Sequence, residues 1–256
     1  MYDIHTRKRV LALVDQGRSL NSVSQETGIS RAAIRSWRSR LEPLDRSTPC
    51  PRCEDVPRPP EDPAAYSYLL GLYLGDGCVS SSRRGVHVLR IACTATWPGL
   101  IEACAEAMQR LRPGNKVYRV RHPGCQYVAA ASKHWPCLLP QHGAGRKHRR
   151  RIALEPWQQT IVNAHPWDFV RGLIHSDGCR ITNWTTRLVA GERKRYEYPR
   201  YFFTNVSDDI RQLFTDTLDQ LGVEWTHCIR NGSPYNISVA RRASVALMDA
   251  HVGPKY

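Results

Sequence analysis

Two stretches decide the reading of this chain: Tyr68-Leu69-Leu70-Gly71-Leu72-Tyr73-Leu74-Gly75-Asp76-Gly77 and, about a hundred positions later, Phe169-Val170-Arg171-Gly172-Leu173-Ile174-His175-Ser176-Asp177-Gly178. Each reads as a helix ending in Asp-Gly, with Gly77 and Gly178 expected in the left-handed conformation that closes many helices. Gly71 with Gly75, and Gly172 with Ser176, place small residues four apart on one helix face, a spacing that lets two helix backbones approach closely. The aspartates are then badly placed for stability. A carboxylate in the last turn opposes the helix dipole at a cost of about 0.3–1 kcal/mol. If the helices pack together, Asp76 and Asp177 also repel each other. A local rule broken twice in the same way points to function. A divalent cation held by the carboxylates would turn that repulsion into attraction.

The two stretches resemble the paired LAGLIDADG motifs of homing endonucleases, with Gly71, Asp76 and Gly77, and again Gly172, Asp177 and Gly178, at matching positions. The resemblance covers roughly residues 63 to 256. Leu74 and His175 depart from the motif at its first aspartate, which is not the catalytic position in the family.

Working outward, the 256 residues suffice for more than one core. A net charge of +14 favours a polyanionic partner. No apolar run is long enough to span a membrane and no signal peptide opens the chain, so a soluble, cytoplasmic, nucleoid-associated protein is expected. Nine scattered cysteines fit reduced thiols better than a disulfide framework.

Residues 1–45 are expected to form a small all-α DNA-binding domain. Val10, Leu11, Leu13 and Val14 mark a first helix ended by Gly17. Ser19 caps a second that stops at Gly28, and Ser30 caps a third carrying Ile34 and Trp37 on one face. The arrangement resembles the helix-turn-helix of resolvases and transposases, which implies that Arg31, Arg35 and Arg38 contact DNA; the other reading is a three-helix interaction module. Residues 46–62 are expected to form a Pro-rich linker holding Cys50-Pro51-Arg52-Cys53, the spacing of half a structural Zn²⁺ site, but no second Cys-x-x-Cys follows at zinc-ribbon spacing to complete it.

After Gly77 the pattern becomes extended. Hairpins are expected at Cys78–Ser82 with Val86–Thr94 and at Val117–Arg121 with Tyr127–Ala131, separated by a helix through Leu100, Ile101 and Met108. A short helix follows from Lys133. The second half repeats the order: Arg180–Val189 with Tyr198–Asn205, a helix capped by Ser207, Val223–Arg230 with Tyr235–Val239, and a closing helix from Arg241. The fold class is α+β, with αββαββα repeats at 63–142 and 164–256 and a basic linker at 143–163. By resemblance the repeats form a pseudo-symmetric saddle on double-stranded DNA.

The basic side chains expected at that DNA are Arg83, Arg84, Arg90, Arg119, Arg121, Arg180, Arg187, Arg193, Lys194, Arg195, Arg200 and Arg230 on the hairpins, and Arg146, Lys147, Arg149 and Arg150 on the linker. The resemblance further implies Asp76 and Asp177 as catalytic metal ligands, with Gly75 and Ser176 beside them, and Mg²⁺ or Mn²⁺ as cofactor. It puts a basic residue where the last strand of each repeat enters its last helix, which maps to Lys133 and Arg241. The function so implied is a sequence-specific, free-standing DNA endonuclease in which one chain supplies both active-site halves and needs no protein partner. A DNA-binding transcription regulator on the same scaffold is the alternative, and assistance to RNA splicing a third reading.

Overall fold

The computed structural model describes residues 2–39, 41, 60–230 and 232–256. The chain divides into two compact units, Met1–Pro49 and Cys50–Tyr256. Cys50, Cys53 and most of the Pro-rich stretch lie outside the described residues.

The smaller unit is three helices, α1 (Ile4–Asp15), α2 (Leu20–Thr27) and α3 (Arg31–Ser39). Asp3 caps the first by accepting from the Thr6 amide at 2.7 Å, and Ser19 and Ser30 cap the next two. Val10, Val23, Ile29, Ile34 and Trp37 make its core. Arg31, Arg35 and Arg38 remain exposed.

The larger unit runs α4 (Pro63–Asp76), β1 (Gly77–Ser81), β2 (His87–Thr94), α5 (Pro98–Leu111), β3 (Val117–His122), β4 (Cys125–Ser132), α6 (Trp135–Leu138), α7 (Pro156–Ala164), α8 (Pro166–Asp177), β5 (Gly178–Val189), β6 (Glu192–Thr204), α9 (Asp208–Gln220), β7 (Thr226–Arg230), β8 (Ser233–Val239) and α10 (Arg242–His251). The αββαββα order thus occurs twice. Each copy builds a four-stranded antiparallel sheet with the same order, β1-β2-β4-β3 and β5-β6-β8-β7. Helix α7 is unexpected in the segment 143–163. It forms because Glu155 and Gln158 make a reciprocal capping box around Pro156. Among the described residues no helix is long and apolar enough to cross a membrane.

Helix α4 is apolar on every side and is buried continuously from Ala65 to Leu74. It packs against α8 at the predicted small residues. A methyl on Gly71 would come within 2.5 Å of the Phe169 carbonyl oxygen, and one on Gly172 would meet the Tyr68 carbonyl oxygen and lie 2.9 Å from the Gly71 Cα. Only glycine allows this contact. Gly77 and Gly178 correct the sequence reading: their φ angles are −91° and −105°, extended rather than left-handed. They are glycine because a Cβ would come within 2.5 Å of the Tyr73 Cα and 2.7 Å of the Ile174 Cα, as the chain turns directly from helix into strand.

Candidate active site

The tight crossing of α4 and α8 brings the ends of both helices together. A Cβ built on Gly75 would lie 3.1 Å from the Asp177 carboxyl carbon, so the absence of a side chain there makes room for the second aspartate. Asp76 and Asp177 line one open cleft of about 540 Å³ together with Lys147, His148 and Asn205. Burial raises both carboxyls above the ordinary range. For Asp177 burial comes first and the charge of Asp76 second, and together they push it up to about 6.

Two lysines offset this cost. The Lys147 ammonium donates to the carbonyl oxygens of Tyr73, Leu74 (2.9 Å) and Gly75 (2.8 Å). Lys255 donates to the Ser176 carbonyl at 2.9 Å. Each motif helix therefore ends on a cation from a distant part of the chain, which satisfies orphan carbonyls and opposes the negative end of the dipole. Burial pulls Lys147 down to about 8 against the attraction of Asp177 and Asp76, and lowers Lys255 likewise. The tail that carries Lys255 is tied down where the Leu100 amide donates to the Tyr256 carbonyl at 3.1 Å.

The halves are not equivalent. The Asn205 amide donates to Asp177 at 2.5 Å, while its own side-chain oxygen accepts from the Ser207 amide at 2.8 Å. In the first half the same place is held by Ala95: its backbone N–H reaches Gly124 at 3.2 Å just as that of Asn205 reaches Tyr235 at 3.2 Å. Asp76 thus receives no amide from that place.

Lys133 and Arg241 lie at matching places but away from this pair. Gly77 aligns with Ile91 and Ile91 with Val128, so Lys133 begins five positions farther along β4, about 16 Å at 3.3 Å per residue. Arg241 lies similarly beyond Ile237, the β8 residue level with Gly178, and pairs with Glu224. The cations at the carboxylates are instead Lys147, expected only as a phosphate contact, and Lys255, which sequence reasoning missed. Their one shared signal is a lysine a short way past the last helix of each repeat in a chain poor in lysine.

Sheet register sorts the arginines. Leu89, Ile91, Tyr201 and Phe203 face the helices and are buried, so alternate residues face the open side. Arg119 and Arg180 share the helix side and are spent there. Arg119 pairs with Glu102 of α5 at 2.5 Å, and Arg180 binds Asp249 of α10 through two bonds of 2.6 and 2.8 Å. Arg121 shares the face of Arg119 by alternation. Arg90, Arg187, Lys194 and Arg200 belong to the open side, and Arg83 and Arg84 sit exposed at the first hairpin tip. Arg193 and Arg195 are exposed near the second tip, Arg195 paired with Glu197. Arg230 ends β7. On the segment between the repeats, Arg146 and Arg149 are exposed, whereas Arg150 donates to the carbonyls of Gln141, Gly143, Ala144 and Gly145 and holds the loop that presents Lys147.

Among the described residues no group of three or more His, Cys, Asp or Glu side chains could hold a metal ion. Two adjacent carboxylates with raised pKa values nevertheless suit Mg²⁺, which keeps waters and takes one or two carboxylates plus substrate phosphate oxygens. The Gly75 and Ser176 carbonyls, expected beside the metal, accept the lysines.

No protein-family model and no curated protein matches the chain. Among solved structures, the homing endonuclease I-DmoI in complex with DNA and Mn is similar at 15% identity and a TM-score of 0.47, over 76% of this chain and 98% of that one. The LAGLIDADG meganuclease I-AabMI bound to uncleaved DNA is similar at 11% identity and a TM-score of 0.45, over 73% and 83%. The N-terminal LAGLIDADG domain of DUF199/WhiA is similar at 12% identity and a TM-score of 0.45, over 75% and 83%.

Proposed function

We propose that this chain is a sequence-specific, divalent-metal-dependent double-strand DNA endonuclease of the LAGLIDADG homing type. The observation that carries the reading is the meeting of Asp76 and Asp177 at the ends of two crossed helices, each beside a half-buried lysine, between two sheets with basic open faces. Two carboxylates whose pKa values stay raised beside two lysines are not placed there for stability. Asp76 and Asp177 would hold Mg²⁺ or Mn²⁺, which when bound polarises the phosphoryl oxygen and makes water nucleophilic near neutral pH. Lys147 and Lys255 would take the charge-neutralising role first assigned to Lys133 and Arg241, because their ammoniums stand beside the two carboxylates. Asn205 orients Asp177. Arg90, Arg187, Lys194 and Arg200 would contact the duplex, and Arg31, Arg35 and Arg38 of the small unit would add a second DNA contact. One chain carries both carboxylates, so a monomer suffices.

The lysines also favour a second reading. They already compensate the helix ends, so the same scaffold could bind DNA as a regulator without cutting. One experiment separates the two. DNA is selected from a random-sequence pool in chelator, then incubated with Mg²⁺ and with wild type, Asp76→Asn/Asp177→Asn, Lys147→Met or Lys255→Met. Metal-dependent cutting that the double aspartate variant lacks supports the nuclease. Tight, specific binding without cutting in Mg²⁺ or Mn²⁺ leaves the regulator.

A further inference from the structure

The two repeats differ most in their first hairpin. In the first, β2 is paired with β4 along its whole length, from His87 to Thr94, and the chain turns back just beyond the sheet. In the second, β8 supports β6 only from Tyr201 to Thr204, while β5 and β6 stay paired from Gly178↔Phe203 out to Val189↔Glu192. From Ile181↔Arg200 onward they form a two-stranded ribbon with no third strand, about 30 Å long at 3.3–3.4 Å per residue.

This ribbon is built for a partner. Two strands alone are marginal in water, and here they carry exposed aromatic surface: Trp184 is 59% exposed, Tyr196 39% and Tyr198 36%. The charge identifies the partner. Arg187, Arg193, Lys194, Arg195 and Arg200 stand against Glu192 and Glu197, an excess of cations suited to a polyanion. On the open face, Asn183 opposes Tyr198, Thr185 opposes Tyr196 and Arg187 opposes Lys194, a ladder of side chains able to bond base edges and phosphates. A DNA major groove is wide enough for a two-stranded ribbon.

Building on the proposed DNA binding, we infer that the second repeat reads a half-site longer than the first, by about 7 base pairs at 3.4 Å each, because β5–β6 outruns β1–β2 by seven residue pairs, Asn183↔Tyr198 to Val189↔Glu192. The β5–β6 ribbon lies along the major groove there. The target is therefore lopsided about the Asp76–Asp177 pair, and sequence changes at its far end on one side alone weaken binding.

The test is hydroxyl-radical footprinting of the full chain on DNA selected in chelator, so that no cleavage is needed. One variant replaces residues 184–197 by Asn-Gly, which closes a two-residue turn between the paired Asn183 and Tyr198. A second, which leaves the backbone alone, is Arg187→Ala/Lys194→Ala/Tyr196→Ala, all exposed or half-exposed positions. The trimmed protein is expected to lose protection over about 6 base pairs at one end only. The triple variant should lose protection at that same end, with the slope of log K against log salt smaller by about 0.9 for each phosphate no longer neutralised. Footprints unchanged at both ends, or shortened equally at both, overturn the longer half-site and leave the nuclease reading standing. A chain that protects no selected DNA overturns both.

Discussion

Replacing Asp177 by Asn should stabilise the metal-free protein most at neutral pH, less in mild acid, and not at all once pH falls below about 3.8. Burial and the neighbouring Asp76 push Asp177 from an ordinary 3.8 up to about 6. A carboxyl with a raised folded-state pKa binds more protons folded than unfolded, so its ionisation destabilises the fold in full above about 6, and the penalty shrinks as pH falls from about 6 to the ordinary 3.8, below which it is gone. A rise of this size corresponds to a ceiling of about 3 kcal/mol, which solvent at the cleft mouth reduces to about 1–2 kcal/mol. For a unit of this size that is about 3–6 °C in Tm. The oxygen of the introduced amide would still accept from Asn205, so the substitution removes charge without orphaning that donor. Thermal unfolding in chelator should therefore give the variant the higher Tm at pH 7.5, with the gap roughly halved at pH 5. Over this range Asp249, whose pKa is lowered by its bond to Arg180, stays ionised and contributes no opposing trend. Mg²⁺ should then stabilise wild type and not Asp177→Asn. An equal gap at both pH values, or a less stable variant at pH 7.5, would refute the claim that the two carboxylates strain each other.

Gly172→Ala should unfold the larger unit, with a cost of at least about 3 kcal/mol, because the new methyl meets the Tyr68 backbone across a contact that neither helix can relax; circular dichroism melts would register it. Asn205→Ala should slow hydrolysis of one DNA strand and spare the other, since Ala95 already occupies the corresponding place at Asp76; accumulation of a singly nicked, strand-labelled duplex is the readout. Asp249→Ala should cost about 1–3 kcal/mol in thermal or urea unfolding by leaving Arg180 and the Tyr201 hydroxyl unpaired, yet leave DNA affinity unchanged, because that arginine faces the helices.

Local pattern carries the parts of the fold that depend on local sterics. Small residues four apart at Gly71, Gly75, Gly172 and Ser176 announce a close helix pair whatever surrounds them, and the repeated order of elements follows from hydrophobic period and turn residues. The same reading misjudges Gly77 and Gly178, since a glycine demanded by a left-handed φ and one demanded by a crowded Cβ look identical in one dimension. The arginines show a comparable limit. Alternation divides a strand into two faces, but only the acidic partners supplied by α5 and α10, at Glu102 and Asp249, reveal that Arg119 and Arg180 belong to the covered face. Helix α7 is hidden because the basic run before it dominates the segment.

The site is legible where the chain breaks a local rule and illegible where it repairs one. Asp76 and Asp177 stand out because each sits at the wrong end of a helix, a cost visible from neighbouring residues alone. The compensation comes from Lys147 and Lys255, far along the chain, whose ammoniums reach the carbonyls beside the aspartates. Sequence spacing gives no measure of that reach beyond the shared place of a rare lysine, and element order points instead to Lys133 and Arg241. The repair is also only partial. Lysines satisfy the helix ends, yet both carboxyls keep raised pKa values, and the Asn205 amide serves Asp177 alone. A purely structural ion cluster would have relaxed this residual strain by exchanging one carboxylate for an amide, as Asn205 shows the chain can do nearby. Retaining both charges is what the proposed divalent-metal site would require of this cleft.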